Sequence, residues 1–147
     1  MKLDETDKKI LNVLIDDSRL SYRQIAKKIL VSAATVMHRV KRLEKEKIIE
    51  RYGAQIDYDL LGYDIHVLID LRVAKGKLFE IEKKIAANNN VYAVYDNTGH
   101  FDATILAKFK NRRSMDEFLK KIQKFDFVER TETKLILNTI KEQGIKL

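Results

Sequence analysis

Residues 21–49, SYRQIAKKILVSAATVMHRVKRLEKEKII, decide the fold of the first part of the chain. Ser21 followed three residues later by Gln24 is typical of a capping box, which indicates the start of a helix. Ser32 has the side chain preferred at a second helix start. The stretch therefore predicts two short helices joined by a tight turn, the layout of a helix-turn-helix. The apolar stripe of its first helix consists of Ile25, Ala26 and Ile29.

The second helix of this pair presents small residues first and basic residues afterwards. Val36, Val40 and Leu43 stand at i, i+4 and i+7 and point inward, which leaves the other residues on the solvent side. Small residues allow close approach to base edges, and longer cationic side chains reach phosphates. The sequence thus predicts a DNA interface whose candidate residues are Ser21, Tyr22, Arg23, Ser32, Ala33, Thr35, His38, Arg39, Lys41 and Arg42.

Positive charge is concentrated on the same module. Residues 18–47 carry nine Lys or Arg side chains and two Glu side chains, a net +7 that equals the net charge of the whole chain. A cationic footprint on one small module is what neutralising a phosphate backbone requires. The alternative is a merely solvated helix face, but capping, periodicity and charge together favour double-stranded DNA as a partner.

The flanking segments complete this module. Asp4 favours the start of a helix that runs to about Asp16, with Asp7 in its first turn. After residue 46 the chain has short β-prone runs interrupted by Gly53, which we interpret as a wing. The sequence thus predicts a winged helix-turn-helix domain over residues 1–52, followed by a connecting strand or linker over 53–62.

Residues 63–140 follow a β-α-β-β-α-β pattern. Strands are predicted over 65–73, 91–96, 103–109 and 128–140, with helices between the first two and the last two. The second helix is expected to begin at Ser114, with Glu117 completing a capping box. The chain is therefore expected to be an α/β protein of the α+β type, whose second domain has a ferredoxin-like (ACT-like) fold. Residues 141–147 are expected to form a C-terminal tail.

The sequence also predicts self-association and a cellular location. Two helices cover one face of a four-stranded sheet, and Leu68 and Leu106 alternate onto the other face, so a homodimer is expected there. The 147 residues include no cysteine, which excludes disulfides and thiolate zinc sites. Neither a signal-peptide core nor a membrane-length apolar run is present, so we expect a cytoplasmic protein with no membrane partner.

Motifs along nearly the whole chain resemble those of the Lrp/AsnC (leucine-responsive, feast/famine) transcription regulators. Leu30 and Lys47 stand where these proteins usually have Gly, and Tyr58 stands where they often have Pro. A non-Gly residue in the left-handed region costs about 1 kcal/mol. The residues that carry the resemblance are Ser32, Val36, Arg39, Val40, Leu43, Ile48, Ile49, Asp57, Leu61, Gly62, Thr98, Gly99 and Asp102.

The resemblance implies dimers that assemble further, for example into octamers, and an amino acid or related metabolite as effector. The candidate effector residues are Thr98, Gly99, His100, Phe101 and Asp102. Backbone amides around a glycine and a hydroxyl suit a carboxylate, and an aspartate suits an ammonium group. The alternative is a plain hairpin turn at Gly99. Both interpretations stay open at this point.

Other functions have weaker support. His100 with Asp102 is a weak candidate for acid–base catalysis, and Asp57, Asp59 and Asp64 form a weak cation site. No activated nucleophile and no phosphate-binding glycine loop accompany them, so we predict no enzyme activity, no cofactor and no metal. The better rival to a sequence-specific transcription regulator is an amino-acid sensor or assembly module that does not bind DNA.

Overall fold

The computed structural model describes residues 2–74 and 76–147, and the chain forms two compact units. The first unit runs to Gln55 and also contains Lys141–Leu147, while the second is Ile56–Ile140. Each unit has its own apolar core. Among the described residues, no helix is both long enough and apolar enough to span a bilayer.

Three helices make up most of the first unit: α1 (Glu5–Asp16), α2 (Tyr22–Ile29) and α3 (Ala33–Lys45). The predicted caps are confirmed, since Asp4 and Ser21 each form a capping box and Ser32 accepts a hydrogen bond from the N–H of Thr35. The apolar stripes of the three helices meet in one core, which consists of Ile10, Leu11, Ile25, Ala26, Val36, Val40 and Leu43.

Two helices end on residues in the left-handed region. Leu30 has φ 59° and Lys47 has φ 55°. The N–H of Val31 reaches the carbonyl of Ala26 at 3.1 Å, and that of Ile48 reaches Leu43 at 2.9 Å. These six-to-one bonds belong to Schellman-type helix ends, a geometry that usually selects Gly. The two departures from the family pattern therefore lie at positions where a Cβ is costly.

The segment after α3 differs from the expected wing, because residues 46–64 contain no strand. Ile49 packs against the core of the first unit, and the hydroxyl of Tyr52 donates to Glu44 Oε1 at 2.8 Å. A β-prone run needs a neighbouring strand to satisfy its backbone groups. Within residues 2–55 and 141–147 no such strand is present, so the segment stays irregular.

The second unit has the predicted βαββαβ order: β1 (Ile65–Val73), α4 (Leu78–Ala86), β2 (Val91–Asp96), β3 (Ala103–Phe109), α5 (Arg112–Gln123) and β4 (Val128–Leu135). The strands form an antiparallel sheet in the order β2-β3-β1-β4. Inward residues of the sheet pack with Ile81 and Ile85 of α4 and Phe118 and Ile122 of α5. Both helices therefore cover the same face of the sheet.

Two element boundaries of this unit were predicted wrongly. The α5 helix starts two residues before Ser114, because the Asn111 side chain accepts from the Ser114 N–H at 2.9 Å and takes the capping role. Glu117 instead pairs with Arg113 at 3.1 Å. The β4 strand ends at Leu135, which is opposite Val67, and one further bond joins the Ile136 N–H to the His66 carbonyl at 2.8 Å. Because β1 begins at Ile65, it has no residues opposite the end of the predicted strand at 138–140.

Candidate nucleic-acid interface and effector loop

The solvent face of α3 is a stripe of four exposed residues. Ala34, His38, Lys41 and Lys45 stand at i, i+4, i+7 and i+11, opposite the buried Val36, Val40 and Leu43. The stripe starts with a methyl side chain and ends with two ammonium groups, the order that sequence reasoning predicted. It provides a surface along which a helix can approach base edges at one end and phosphates at the other.

Residues at the starts of α2 and α3 lie on the surface of the same unit. Ser21, Tyr22 and Arg23 are exposed. The Ser32 hydroxyl lies 2.8 Å from that of Thr35, so this pair can present one hydroxyl group to solvent. Both alanines were expected off the apolar stripe; Ala33 instead packs against the apolar core, and Ala34, which was not among the candidate DNA contacts, is exposed. Helical periodicity alone separates these two adjacent alanines.

Arg39 and Arg42 face carboxylates of α1. Arg39 Nη1 lies 2.5 Å from Asp4 Oδ2 and 3.3 Å from Asp7 Oδ1, and Arg42 Nη2 lies 2.6 Å from Asp7 Oδ2. Hydrogen bonds from the Asp7 N–H and from Arg39 hold the pKa of Asp4 below its ordinary value. The hydrogen bond to Asp4 likewise raises the pKa of Arg39. No local sequence pattern indicates these contacts.

The candidate effector loop connects β2 to β3. The N–H of Asn97 donates to the carbonyl of Asp102 at 2.8 Å, and Gly99 has φ 111°, as a tight hairpin requires. One carboxylate oxygen of Asp102 accepts from the N–H of Val73 at 2.8 Å, and the Asp102 N–H donates to Leu71 at 2.8 Å. Asp102 therefore has a structural bond at the end of β1 besides the role expected for it.

A cleft of about 580 Å³ lies beside this loop and is lined by Asp70, Asp96, Asn97, Thr98, His100 and Phe101. Asp70 is buried and contacts Thr104 Oγ1 at 2.5 Å and Lys134 Nζ at 2.8 Å. Burial acts to raise the pKa of Asp70, but the hydrogen bonds from Lys134 and Thr104 outweigh it and lower the pKa. The floor of the cleft is therefore an ionised, already paired carboxylate.

Two carboxyl groups lie close together where α4 packs near the end of β2. Burial raises the pKa of Glu82 on α4 to about 7, and the hydrogen bond and negative charge of Asp96 act in the same direction. Glu82 Oε1 is inaccessible to solvent. Glu82 therefore keeps its proton up to about neutral pH and can donate it to Asp96.

The weaker sequence candidates for metal or acid–base chemistry form other contacts. Asp57 Oδ1 accepts from the N–H groups of Asp59 and Leu60, so it organises a turn. His66 Nε2 lies 2.7 Å from the hydroxyl of Tyr92, on a different element from His100. Within residues 2–74 and 76–147, no group of three or more His, Asp or Glu side chains is placed to hold a metal ion.

Family models match both units of the chain. A model described as winged helix-turn-helix DNA-binding matches residues 3–50, and one described as the Lrp/AsnC ligand binding domain matches residues 66–145. The second match spans more than half of the chain. The first match lies within the first unit, and the second covers most of the second unit and continues into segment 141–147 of the first.

Known proteins of the same length are similar over the whole chain. An uncharacterized HTH-type transcriptional regulator of Pyrococcus furiosus is 42% identical over 142 residues, which cover 97% of this chain and 96% of the relative. The structure of Escherichia coli AsnC has 26% identity and a TM-score of 0.90, and the match covers 100% of both chains. A Neisseria meningitidis transcriptional regulator solved as an L-Met complex has 23% identity and a TM-score of 0.92, covering 99% of this chain and 96% of that one.

Proposed function

Because this chain belongs to the Lrp/AsnC family of transcription regulators, we propose that it binds operator DNA through α3 and responds to an amino acid or related metabolite. It is a DNA-binding transcription regulator with a separate ligand-binding domain. A regulator of this kind must reach chromosomal DNA, so we infer that it acts in the cytoplasm. Binding and conformational coupling account for such a function without catalysis.

The exposed stripe of α3 is the single observation that carries the DNA-binding proposal. Its residues lie on a helix that is capped by Ser32 and fixed by three buried side chains, so the stripe is presented by a rigid element. The second helix of a helix-turn-helix enters the major groove with its N-terminal residues next to base edges. His38 then lies where a base-edge contact is made, and Lys41 lies nearer the phosphates.

The proposed DNA contacts extend from this stripe to the starts of α2 and α3. Polar side chains at helix starts suit phosphate oxygens, because the N–H groups there also point outward. Arg39 and Arg42, which the sequence also predicted as DNA contacts, pair instead with carboxylates of α1. The proposed DNA contacts are therefore Ser21, Tyr22, Arg23, Ser32, Ala33, Thr35, His38 and Lys41.

We also propose a homodimer formed through the sheet face that α4 and α5 leave uncovered. Leu68 and Leu106 are cross-strand partners on that face, and the neighbouring Tyr95 is exposed. A two-fold dimer would give each of two half-sites its own α3 helix. Assembly beyond the dimer, for example into an octamer, is the family pattern that we extend to this chain.

The effector is proposed to occupy the cleft beside Thr98, Gly99, His100, Phe101 and Asp102. The match to a ligand-binding domain and the position of the cleft at this loop support that site. The exposed Thr98 hydroxyl and the backbone around Gly99 suit a carboxylate group. Because Val73 occupies only one Asp102 oxygen, the other carboxylate oxygen of Asp102 is the proposed partner for an ammonium group.

Selection of binding sites from random duplexes, followed by titration of the selected site over a salt series, tests DNA binding. Each neutralised phosphate adds about −0.9 to the slope of log affinity against log salt, so a steep negative slope is expected. A slope near zero would remove the DNA-binding proposal. Sedimentation of the same samples measures assembly, and a monomer at all concentrations would contradict the dimer.

Thermal-shift measurements with each of the twenty amino acids test the effector. A ligand that binds the native state raises its melting temperature by mass action. The Thr98→Val variant should lose the shift, and Thr133→Val, a matched change on β4, should keep it. A shift that survives Thr98→Val would place the ligand elsewhere, and the lack of any shift would contradict an amino-acid effector.

A further inference from the structure

We propose that Asp7 is a positioning residue that fastens the recognition helix α3 to α1 through Arg39 and Arg42, and that these two arginines orient the helix and do not contact DNA phosphates. The inference rests on the proposed DNA-binding function. It adds that some cations of α3 orient the helix while others, such as Lys41, contact DNA. It assigns a role in recognition to a residue on α1 that sequence reasoning regarded only as part of a helix start.

The geometry joins one buried carboxylate to two guanidinium groups. The Asp7 side chain is 1% exposed, the lowest exposure of any acidic side chain that pairs in the first unit. Its Oδ2 accepts from Arg42 Nη2 at 2.6 Å, and both of its oxygens lie 3.3–3.4 Å from Arg39 Nη1. Asp4, the N-cap of α1, also accepts from Arg39, so the two ends of the α1 capping box both contact α3 cations.

The arginine side chains lie partly buried against α1. Arg39 and Arg42 are 31% and 39% exposed, and the Nε of Arg42 is inaccessible to solvent. Arg39 and Arg42 stand three residues apart, on the α3 side that turns toward α1 and away from the stripe formed by His38 and Lys41. A guanidinium that reached DNA from this position would have to give up its carboxylate partner.

That exchange is unfavourable because of the burial of Asp7. A buried carboxylate without a partner carries a large desolvation penalty, and breaking a buried pair by removing one partner leaves the remaining charge uncompensated. The pair is therefore retained when DNA binds. The same contacts fix the rotation and the position of α3 relative to α1, because Arg39 and Arg42 attach α3 at two places one helical turn apart.

The pairing of Arg39 and Arg42 with Asp7 also affects the electrostatics of DNA binding. Two cations of the module are compensated within the protein, so they release no counterions when DNA binds. The salt slope should then depend on the exposed cations, such as Lys41 and Lys45, and not on Arg39 or Arg42. If Arg39 and Arg42 only orient the helix, replacing them leaves the slope of log affinity against log salt unchanged. If they contact phosphates, the same substitutions make that slope less steep.

The deciding experiment measures salt slopes on a random-sequence duplex and on the selected site. Arg39→Met and Arg42→Met keep the aliphatic stems and remove the charges; we expect both to retain the wild-type slope and to lower the preference for the selected site. Lys41→Met is the matched control on the exposed stripe and should flatten the slope by about 0.9 for each phosphate that Lys41 neutralises. If the salt slope of either arginine variant also became less steep by about 0.9, the proposal would be overturned.

The reciprocal variant is Asp7→Asn, which removes the carboxylate partner of Arg42 and leaves Arg39 with Asp4 alone. We expect a steeper slope on random duplex and a smaller ratio of specific to non-specific affinity, with Asp7→Asn/Arg39→Met/Arg42→Met returning to the wild-type slope. Glu5→Gln is the control, because it removes one negative charge from the same helix turn but pairs only with Lys8. An unchanged slope in folded Asp7→Asn would contradict the proposal, and if that variant fails to fold, the arginine variants decide alone. A wild-type slope near zero would instead overturn the proposed function itself.

Discussion

Asn12 on α1 pairs with both main-chain groups of Leu147, which lies 135 residues later in the chain. Its amide nitrogen donates to the Leu147 carbonyl at 3.0 Å, and its amide oxygen accepts from the Leu147 N–H at 2.9 Å. Nearby, Lys146 pairs with Asp16, and a Cβ added at Gly144 would lie 2.9 Å from Ile15 Cγ2. Segment 141–147 is thus an integral part of the helix-turn-helix unit.

The first prediction is that Asn12→Ala destabilises the first unit by about 1 kcal/mol. Two hydrogen bonds of modest net value are removed, and alanine itself is the best helix former. Thermal unfolding measures the change, and hydrogen exchange of α1 amides shows whether it is local. Lys9→Ala, on the exposed surface of the same helix, is the control and should stay within about 0.5 kcal/mol of wild type. Equal stability of both variants would mean that the segment adds nothing to the unit.

The second prediction is that Leu30→Gly stabilises the protein even though it removes a large side chain. Leu30 is 90% exposed and has φ 59°, so little apolar burial is lost and the strain of about 1 kcal/mol is relieved. The greater freedom of glycine in the unfolded chain offsets part of this gain. Lys28→Gly, inside α2, should instead destabilise by about 1 kcal/mol. Denaturant midpoints of the two variants should therefore move in opposite directions.

Features encoded by neighbouring residues were predictable from the sequence, and features that depend on distant pairs were not. The helix start at Asp4, the capping box of Ser21 and the alternation of β1 involve residues within a few positions of one another, and all three were confirmed. The helical periodicity of α3 predicted that Arg39 lies off the apolar stripe. It could not predict the contact with Asp7, because the two residues are 32 positions apart in the chain. The packing of segment 141–147 on α1 likewise has no local pattern that could indicate it.

The third prediction concerns Asp102, whose bond to the Val73 N–H makes it a structural residue of the loop. Asp102→Ala should destabilise the second unit by about 1–3 kcal/mol, because a charge-assisted hydrogen bond is removed and a half-buried N–H is left without its acceptor. Asp102→Asn retains an acceptor oxygen and should recover most of the stability. If both variants unfold with the wild-type midpoint, the bond to Val73 has no energetic importance.

The fourth prediction is a pH dependence that originates at Glu82. Its pKa is raised from 4.5 to about 7, mainly by burial, so between these values the folded state holds a proton that the unfolded chain has released. The stabilising contribution is complete below about pH 4.5 and is lost as the pH rises to about 7. Glu82→Gln stays neutral and can still donate to Asp96, so its melting temperature should decline less than that of wild type across this window. Parallel curves would show that Glu82 titrates normally.

The fifth prediction separates base recognition from phosphate binding on the exposed stripe of α3. His38→Ala should change which base is preferred at one position of the selected site, with a cost of about 1–3 kcal/mol on that site and little change on random duplex. Lys41→Met should weaken binding to both duplexes by the same factor, because a phosphate contact carries no sequence information. Both side chains are exposed and lie away from the core, so the melting temperature should not change. Repeating the site selection with each variant measures the preference directly. If His38→Ala kept the wild-type base preference and Lys41→Met changed it, Lys41 and not His38 would be the base contact. The part of α3 that reads bases would then lie about one turn further along the helix.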